Sequence, residues 1–257
     1  MRQSLLVLAA LACVGGTVTA AALRVDPAVA KAVTDPRRSA ENRARDRYRH
    51  PAETLAFFGV KSGQKIAEFV PGGGWYTEIL GRLPGSYTAV VTSPKAADGA
   101  TKLMAAKGVR GTVATIDPAT GSSTVAPNSQ DVVLTFRNVH NLTMGGGAGA
   151  GNVFKAFHAM LKPGGTLGVV EHRLPAARGA AAEAKSGYLK RATVVKLATD
   201  AGFRLVGESE VNANPKDTAD WPGGVWTLPP TYALKDQDRA RYASIGESDR
   251  MTLRFVK

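Results

Sequence analysis

An open α/β sheet with helices on both faces is the fold this chain predicts, and three observations carry that prediction. Residues 65–80, KIAEFVPGGGWYTEIL, run from a short apolar stretch through Pro71 and three consecutive glycines into residues fit for the first turns of a helix. Strand, glycine loop and helix in that order form the ligand-cradling unit of such sheets. Apolar runs then alternate with helical patterns, as a parallel sheet with crossover helices requires. Further on, Val153, Phe154, Phe157, Met160 and Leu161 share one helical face before Lys162-Pro163-Gly164-Gly165 stops the helix and Thr166 opens another buried run.

The N-terminus stands apart from this pattern. Met1-Arg2, an apolar run over 5–14 and small residues at Val18 and Ala20 have the layout of an export signal cleaved after Ala20. The run is shorter than the roughly 20 residues of a membrane span; an uncleaved anchor and lipidation at Cys13 are the alternatives. Cys13 is the sole cysteine of 257 residues, so cleavage after Ala20 leaves no thiol or disulfide chemistry. Export places the protein in the periplasm, with membrane contact only through the signal segment. Residues 21–45 read as linker, at Asp35-Pro36 and Arg37-Arg38, or as an N-terminal helix from Ser39; 46–257 read as the folded domain. The 33 Lys and Arg exceed the 21 Asp and Glu by 12 charges. No basic run is interleaved with aromatics, so no specific nucleic-acid surface is expected; the excess favours anionic partners in general.

Within 46–257 the elements follow in order. A helix at 52–58 precedes strand 66–70; the glycine loop leads to a helix over 75–80. Strand 86–92 is followed by a helix at 97–107, a strand at 109–116 that ends on Asp117, and a strand at 131–136. A glycine-rich loop spans 145–151, then come helix 153–161 and strand 166–170. Thr193 is placed to cap a helix over 194–201, and strands at 204–211 and 251–256 close the domain. The count is seven strands, six parallel and the last antiparallel.

Glu68-Phe69-Val70-Pro71-Gly72-Gly73-Gly74 does not match GxGxxG. It resembles instead the first motif, (D/E)xGxGxG, of the class I S-adenosylmethionine-dependent methyltransferases, with Val70 standing where that motif has its first glycine. The block ending in LKPGG and its strand, the FRNVHN segment at 136–141 and TVVKLATDAGFRLV at 193–206 are similar to the corresponding parts of that superfamily. The resemblance covers about 49–257 and extends to predicted exported bacterial methyltransferases with a PGGGWYT first motif. It implies a Rossmann-like sheet and S-adenosyl-L-methionine as cofactor. Gly72, Gly73 and Gly74 would lie along the methionine and ribose, Glu68 would anchor the amino group, Asp117 would face adenine, and Asn138 would sit near the transferring centre. The end of the second strand departs from the family: Thr92-Ser93-Pro94 replaces the acidic residue that holds the ribose. Asp117 could equally be a turn residue before Pro118.

His140 and His172 are the candidate bases at strand ends, and Tyr76 is a candidate aromatic on the substrate side; a structural histidine and a helix-packing tyrosine are the plainer alternatives. No metal ligands are assigned. About 39 residues, 212–250, separate the last two strands, where hairpin loops are usually two to five residues. The insert carries Trp221, Trp226, Tyr232 and Tyr242, too aromatic for a disordered linker. It is read as a wall of the acceptor pocket, with Asn212, Asn214, Lys216 and Trp226 as its candidates, or as a flap over the sheet edge. The functional expectation is methyl transfer to a small-molecule or envelope acceptor. The alternatives are a non-catalytic exported domain that binds another ligand or an envelope partner, and a nicotinamide-dependent enzyme.

Overall fold

A computed structural model describes residues 24–144, 147 and 149–257. The signal segment and Cys13 lie outside the described residues, as does part of the 145–151 loop. Seven strands form one sheet: β1 (Lys65–Phe69), β2 (Ser86–Val91), β3 (Thr112–Thr115), β4 (Gln130–Phe136), β5 (Leu161–His172), β6 (Arg204–Ser209) and β7 (Arg250–Val256). Their order is β3-β2-β1-β4-β5-β7-β6. β7 runs antiparallel to both β5 and β6 and the other pairs are parallel, so the expected six-plus-one arrangement holds.

Strand periodicity accounts for the layering. Val132 and Leu134 of β4 face one side with Ile66 of β1, while Val133 faces the other with Ala67 and Phe69, because alternate residues point to opposite faces. Helices α1 (Pro27–Val33), α2 (Ala40–Ala44), α3 (Asp46–Arg49), α4 (Pro51–Phe57), α5 (Thr77–Leu80) and α6 (Pro94–Ala106) precede β3. Val29 of α1, Leu55 of α4, Ile79 of α5 and Met104 of α6 pack on the first face. After β4 come α7 (Val139–Thr143), α8 (Ala150–Met160), α9 (Ala180–Glu183), α10 (Arg191–Asp200) and α11 (Arg239–Ile245). Phe154 and Phe157 of α8 and Val194 and Ala198 of α10 cover the second face.

Three local readings are corrected. Within residues 35–38, read as linker, Pro36 and Arg37 are exposed but Arg38 is packed: it is 1% exposed and donates to Val33 O at 2.6 Å and to both carboxylate oxygens of Asp46 at 2.7 and 2.8 Å. Thr193 does not cap α10; Lys190 precedes that helix, and the Thr193 hydroxyl donates to Glu183 Oε1 at 2.8 Å. The Pro-Gly stop after α8 lies inside β5 as an irregular entry. Gln130 pairs with Leu161 and Val132 with Thr166, so the turn residues between them loop out, with Gly164 at φ +76°.

Strand order runs outward in one direction from β1 through β2 and β3, and in the other from β4 through β5. The carboxyl ends of β1 and β4 therefore flank the point where winding reverses, which is where open α/β sheets hold their ligands. Among the described residues no helix is long and apolar enough to cross a membrane.

Candidate active site

A cavity of about 360 Å³ opens at that reversal point. Its floor is the end of β1 and the loop behind it. Gly72 and Gly74 have φ of +57° and +79°, conformations that favour glycine. A Cβ placed on Gly73 would meet no atom within 4 Å, so bare backbone faces the opening. Val70 holds φ +49°, a left-handed conformation unusual for a β-branched residue. Val70 therefore holds, at the motif's first glycine position, a backbone conformation that glycine adopts more readily.

Glu68 lies under this loop, 3% exposed. Its Oε2 accepts from Thr77 Oγ1 at 2.8 Å and from Tyr87 OH at 2.6 Å. Oε1 has no hydrogen bond among the described residues, and the residue lines the cavity. Burial outweighs the two hydroxyl donors and pushes the carboxyl up to about 7.

The end of β5 supplies the second half of the site. Glu171 is fully buried. Its Oε1 accepts from the His172 N–H at 2.8 Å and pairs with His140 Nδ1 at 2.8 Å; Oε2 accepts from the N–H groups of Val139 and His140 at 2.7 and 3.3 Å. A carboxylate facing Nδ1 fixes the tautomer with the proton on that nitrogen. Nε2 is left as the acceptor, without a hydrogen bond to any described residue, on a ring that lines the cavity. His172 stands 5.2 Å from His140 between ring centroids, and its Nδ1 lies 2.6 Å from Ser248 Oγ. Burial, then the neighbouring His140 ring and the charges of three arginines, hold His172 well below the usual imidazole range, so it is neutral. His140, Glu171 and His172 each bring a possible ligand atom within 4.8 Å of the others. The four contacts on Glu171 already occupy its oxygens, so this geometry is that of a carboxylate–imidazole pair more than of a metal cage.

Tyr76 is 4% exposed and stacks on Phe136, centroids 3.5 Å apart and planes 10° from parallel. Burial pushes its hydroxyl up to about 12, so Tyr76 is a donor and a wall, not a base. Asn138 lines the cavity, but its amide donates to the carbonyls of Phe69, Val70 and Phe136 at 3.1–3.2 Å. It ties the ends of β1 and β4 together. Val70 and Asn138 also border a second, more apolar cavity of about 370 Å³ with Thr92, Pro118 and Leu142, so the two cavities adjoin through shared walls.

Asp117 borders neither of these cavities. Its carboxylate accepts from Ala119 N at 2.9 Å and Thr120 Oγ1 at 2.8 Å, as a turn aspartate does. Ser93, at the end of β2, accepts from Ala96 N and caps α6.

Of the four insert residues singled out, only Trp226 lines the cavity, with its ring 6.1 Å from His140 and edge-on to it. Asn212 is 2% exposed and donates to Thr54 Oγ1 and Thr252 Oγ1. Asn214 donates to the carbonyls of Ile245 and Glu247. Lys216 is exposed, with Nζ 3.4 Å from Ser244 O. These three fasten the insert and do not form its wall; Val225, Pro229, Pro230 and Thr231 stand there beside Trp226.

Sequence reasoning missed Glu171, Glu247, Ser248 and three arginines. Arg45 and Arg49 reach the cavity from the α2–α3 region and Arg137 from the end of β4. Glu247 Oε1 accepts from Arg45 Nε at 2.7 Å and Oε2 from Arg49 Nε at 2.9 Å and Arg250 Nη1 at 3.2 Å. Their charges hold Glu247 down to about 2 against the opposing effect of burial. The i, i+4 spacing of Arg45 and Arg49 was the one signal available, since it puts both on one side of a helical segment.

No family model and no curated protein matches the chain. Solved structures do. A SAM-dependent methyltransferase from Aquifex aeolicus superposes with a TM-score of 0.56 at 16% identity, over 91% of this chain and 99% of that one. The [4+2]-cyclase SpnF gives a TM-score of 0.56 at 16% identity, over 85% of this chain and 81% of its own. Identities this low show a shared fold: the chain has the Rossmann-like fold of class I S-adenosylmethionine-dependent methyltransferases.

Proposed function

We propose that the protein is an exported S-adenosylmethionine-dependent methyltransferase acting on a small-molecule or envelope acceptor. One observation carries this reading. At the reversal point of a methyltransferase-type sheet, a glycine loop stands over a buried carboxylate whose Oε1 has no hydrogen bond among the described residues. Bare backbone admits close approach of a ligand, and Glu68 Oε1 is placed to accept from an ammonium group. The adjoining apolar cavity between Val70, Thr92, Pro118 and Leu142 suits a flat aromatic base. When bound, S-adenosylmethionine supplies an electrophilic methyl group. The protein's own part is to orient the acceptor, exclude water and take up a proton where the acceptor has one to lose.

A second reading, a non-catalytic exported domain that binds another ligand or envelope partner, draws on the end of β2. Thr92 and Ser93 stand there in place of an acidic residue, Asp117 borders the same hollow from the end of β3 but serves its own turn, and Ser93 is spent on capping α6. SpnF, described as a cyclase, illustrates that the fold does not dictate the chemistry.

Calorimetry of the chain from residue 21 with S-adenosylhomocysteine, S-adenosylmethionine and NAD separates the readings. Binding of the first two and not of NAD is expected; the absence of both sinks the transferase. The pH dependence adds a signature of Glu68. Its carboxyl sits near 7 in the free protein, and a bound ammonium favours the ionised form. Affinity should therefore rise by up to about tenfold per pH unit as pH climbs toward 7 and level off above it. Glu68→Gln should remove that slope. The free protein has the opposite trend in stability. With the folded value raised from 4.5 to about 7, stability falls by about 3 kcal/mol as pH rises across that window.

A further inference from the structure

The proposed reading leaves one wall of the main cavity unexplained. Arg45, Arg49 and Arg137 line it, Arg250 stands behind, and all four face one carboxylate, Glu247. Glu68 is the other acid on the cavity, and it is half protonated near neutral pH. Four guanidinium groups are thus offset by one full carboxylate and a fraction of a second.

The contacts are also unequal. Arg250 is satisfied by Ser248 O, Glu247 and Tyr48 O. Arg45 and Arg49 each give only Nε to Glu247, and Arg49 lies over the Trp75 ring at 4.9 Å. Arg137 has no side-chain hydrogen bond among the described residues. Its nearest acid oxygen, on Glu247, is 3.9 Å away, although only 22% of its side chain is exposed. Burial and repulsion from Arg250 and Arg45 oppose its charge. A guanidinium presents five N–H donors in a planar fork that matches carboxylate and phosphate. The Tyr76–Phe136 stack, Trp226 and Pro229 line the same cavity and offer an apolar surface beside the arginines.

We infer that the arginine wall of Arg45, Arg49 and Arg137 recognises an oxyanion, a carboxylate or phosphate, on the acceptor, with the acceptor's apolar body against Tyr76, Phe136 and Trp226. This rests on the transferase reading for the word acceptor; the oxyanion site itself does not. The methionine carboxylate of the cofactor has the same chemistry, so the test must separate the two sources.

Benzoate and phenyl phosphate serve as probes, with benzamide as the neutral counterpart. Each is titrated into the wild-type chain from residue 21, with and without saturating S-adenosylhomocysteine. The expected result is that benzoate or phenyl phosphate binds in both conditions, benzamide at least tenfold more weakly, and Arg137→Gln loses about tenfold or more in affinity for the anion, as expected for a charge-assisted hydrogen bond. Thermal unfolding of Arg137→Gln without ligand should come no lower than that of the wild type, because the side chain has no hydrogen bond to lose and its charge is opposed by burial and by Arg250 and Arg45. Competition between the anion and S-adenosylhomocysteine assigns the wall to the cofactor's carboxylate and overturns the inference. Equal affinity of Arg137→Gln and wild type, or no anion binding in either condition, overturns it too. Anion binding that depends on Arg137 in a protein that does not bind S-adenosylhomocysteine supports the oxyanion site while the transferase reading falls.

Discussion

Gly73→Val is expected to weaken S-adenosylhomocysteine binding by at least about a hundredfold while leaving the fold intact. Of the three glycines it is the informative one. Gly72 and Gly74 have positive φ, so a side chain there strains the loop whatever the ligand does. A Cβ on Gly74 would also press on the Leu103 side chain at 3.3 Å. Gly73 has neither problem: its φ is not in the left-handed region and a Cβ would project into empty space. The loop is exposed at this position, and Gly73 lines the cavity. A valine side chain would fill the volume where a ligand must touch backbone. The loss of a close approach and its hydrogen bonds amounts to several kcal/mol, and about 2.7 kcal/mol already gives a hundredfold change. Calorimetry measures the affinity, and circular dichroism with thermal melting checks the fold. Wild-type affinity in a folded Gly73→Val protein means that the loop is only a turn.

The sheet was legible because its signals are local. Apolar runs such as 132–136, the Pro-Gly punctuation at 163–165 and the amphipathic face of 153–161 each report their own element. The same holds for the part of the site that strand ends deliver. Glu68, the glycines, Asn138, His140 and His172 lie at or just past the carboxyl ends of β1, β4 and β5, and the winding of the sheet brings them together. Roles were harder to read than positions. Asn138, Asn212 and Asn214 looked like ligand contacts, yet their amides are used up on backbone carbonyls and threonine hydroxyls. Asp117 serves its own turn. The arginine wall was hidden for a different reason. Arg45 and Arg49 meet Glu247 across 202 and 198 residues, and nothing local marks a long-range ion pair. Residues 35–45 read as linker or polar helix because the side chain they bury is Arg38, whose guanidinium lies over Trp75, and not an aliphatic one.

His140→Gln should lower kcat for an acceptor that loses a proton on methylation by about 10²- to 10⁴-fold, with S-adenosylhomocysteine affinity within about twofold of wild type. The three candidate catalytic groups, His140, His172 and Tyr76, are unequal. Tyr76 is pushed up to about 12, so it keeps its proton and cannot act as a base near neutrality. His172 is neutral but held well below the usual imidazole range by burial and surrounding cations, which makes it a weak base; its Nδ1 is engaged by Ser248. His140 alone combines a carboxylate on one nitrogen with a second nitrogen left for the cavity. Glu171 orients that ring and favours the imidazolium that forms when Nε2 takes a proton. Glutamine preserves much of the bulk but supplies no basic nitrogen. It is a better probe than Glu171→Gln. An amide there would set an NH₂ group against the N–H donors of Val139, His140 or His172, an unpaired contact costing about 1–3 kcal/mol. The measurement is transfer of a labelled methyl group to a hydroxybenzoate or another acceptor that the wild type methylates, alongside calorimetry with S-adenosylhomocysteine. A His140→Gln protein that turns over at the wild-type rate assigns the proton transfer elsewhere. A parallel loss of turnover and cofactor affinity makes His140 part of the binding wall and not the base.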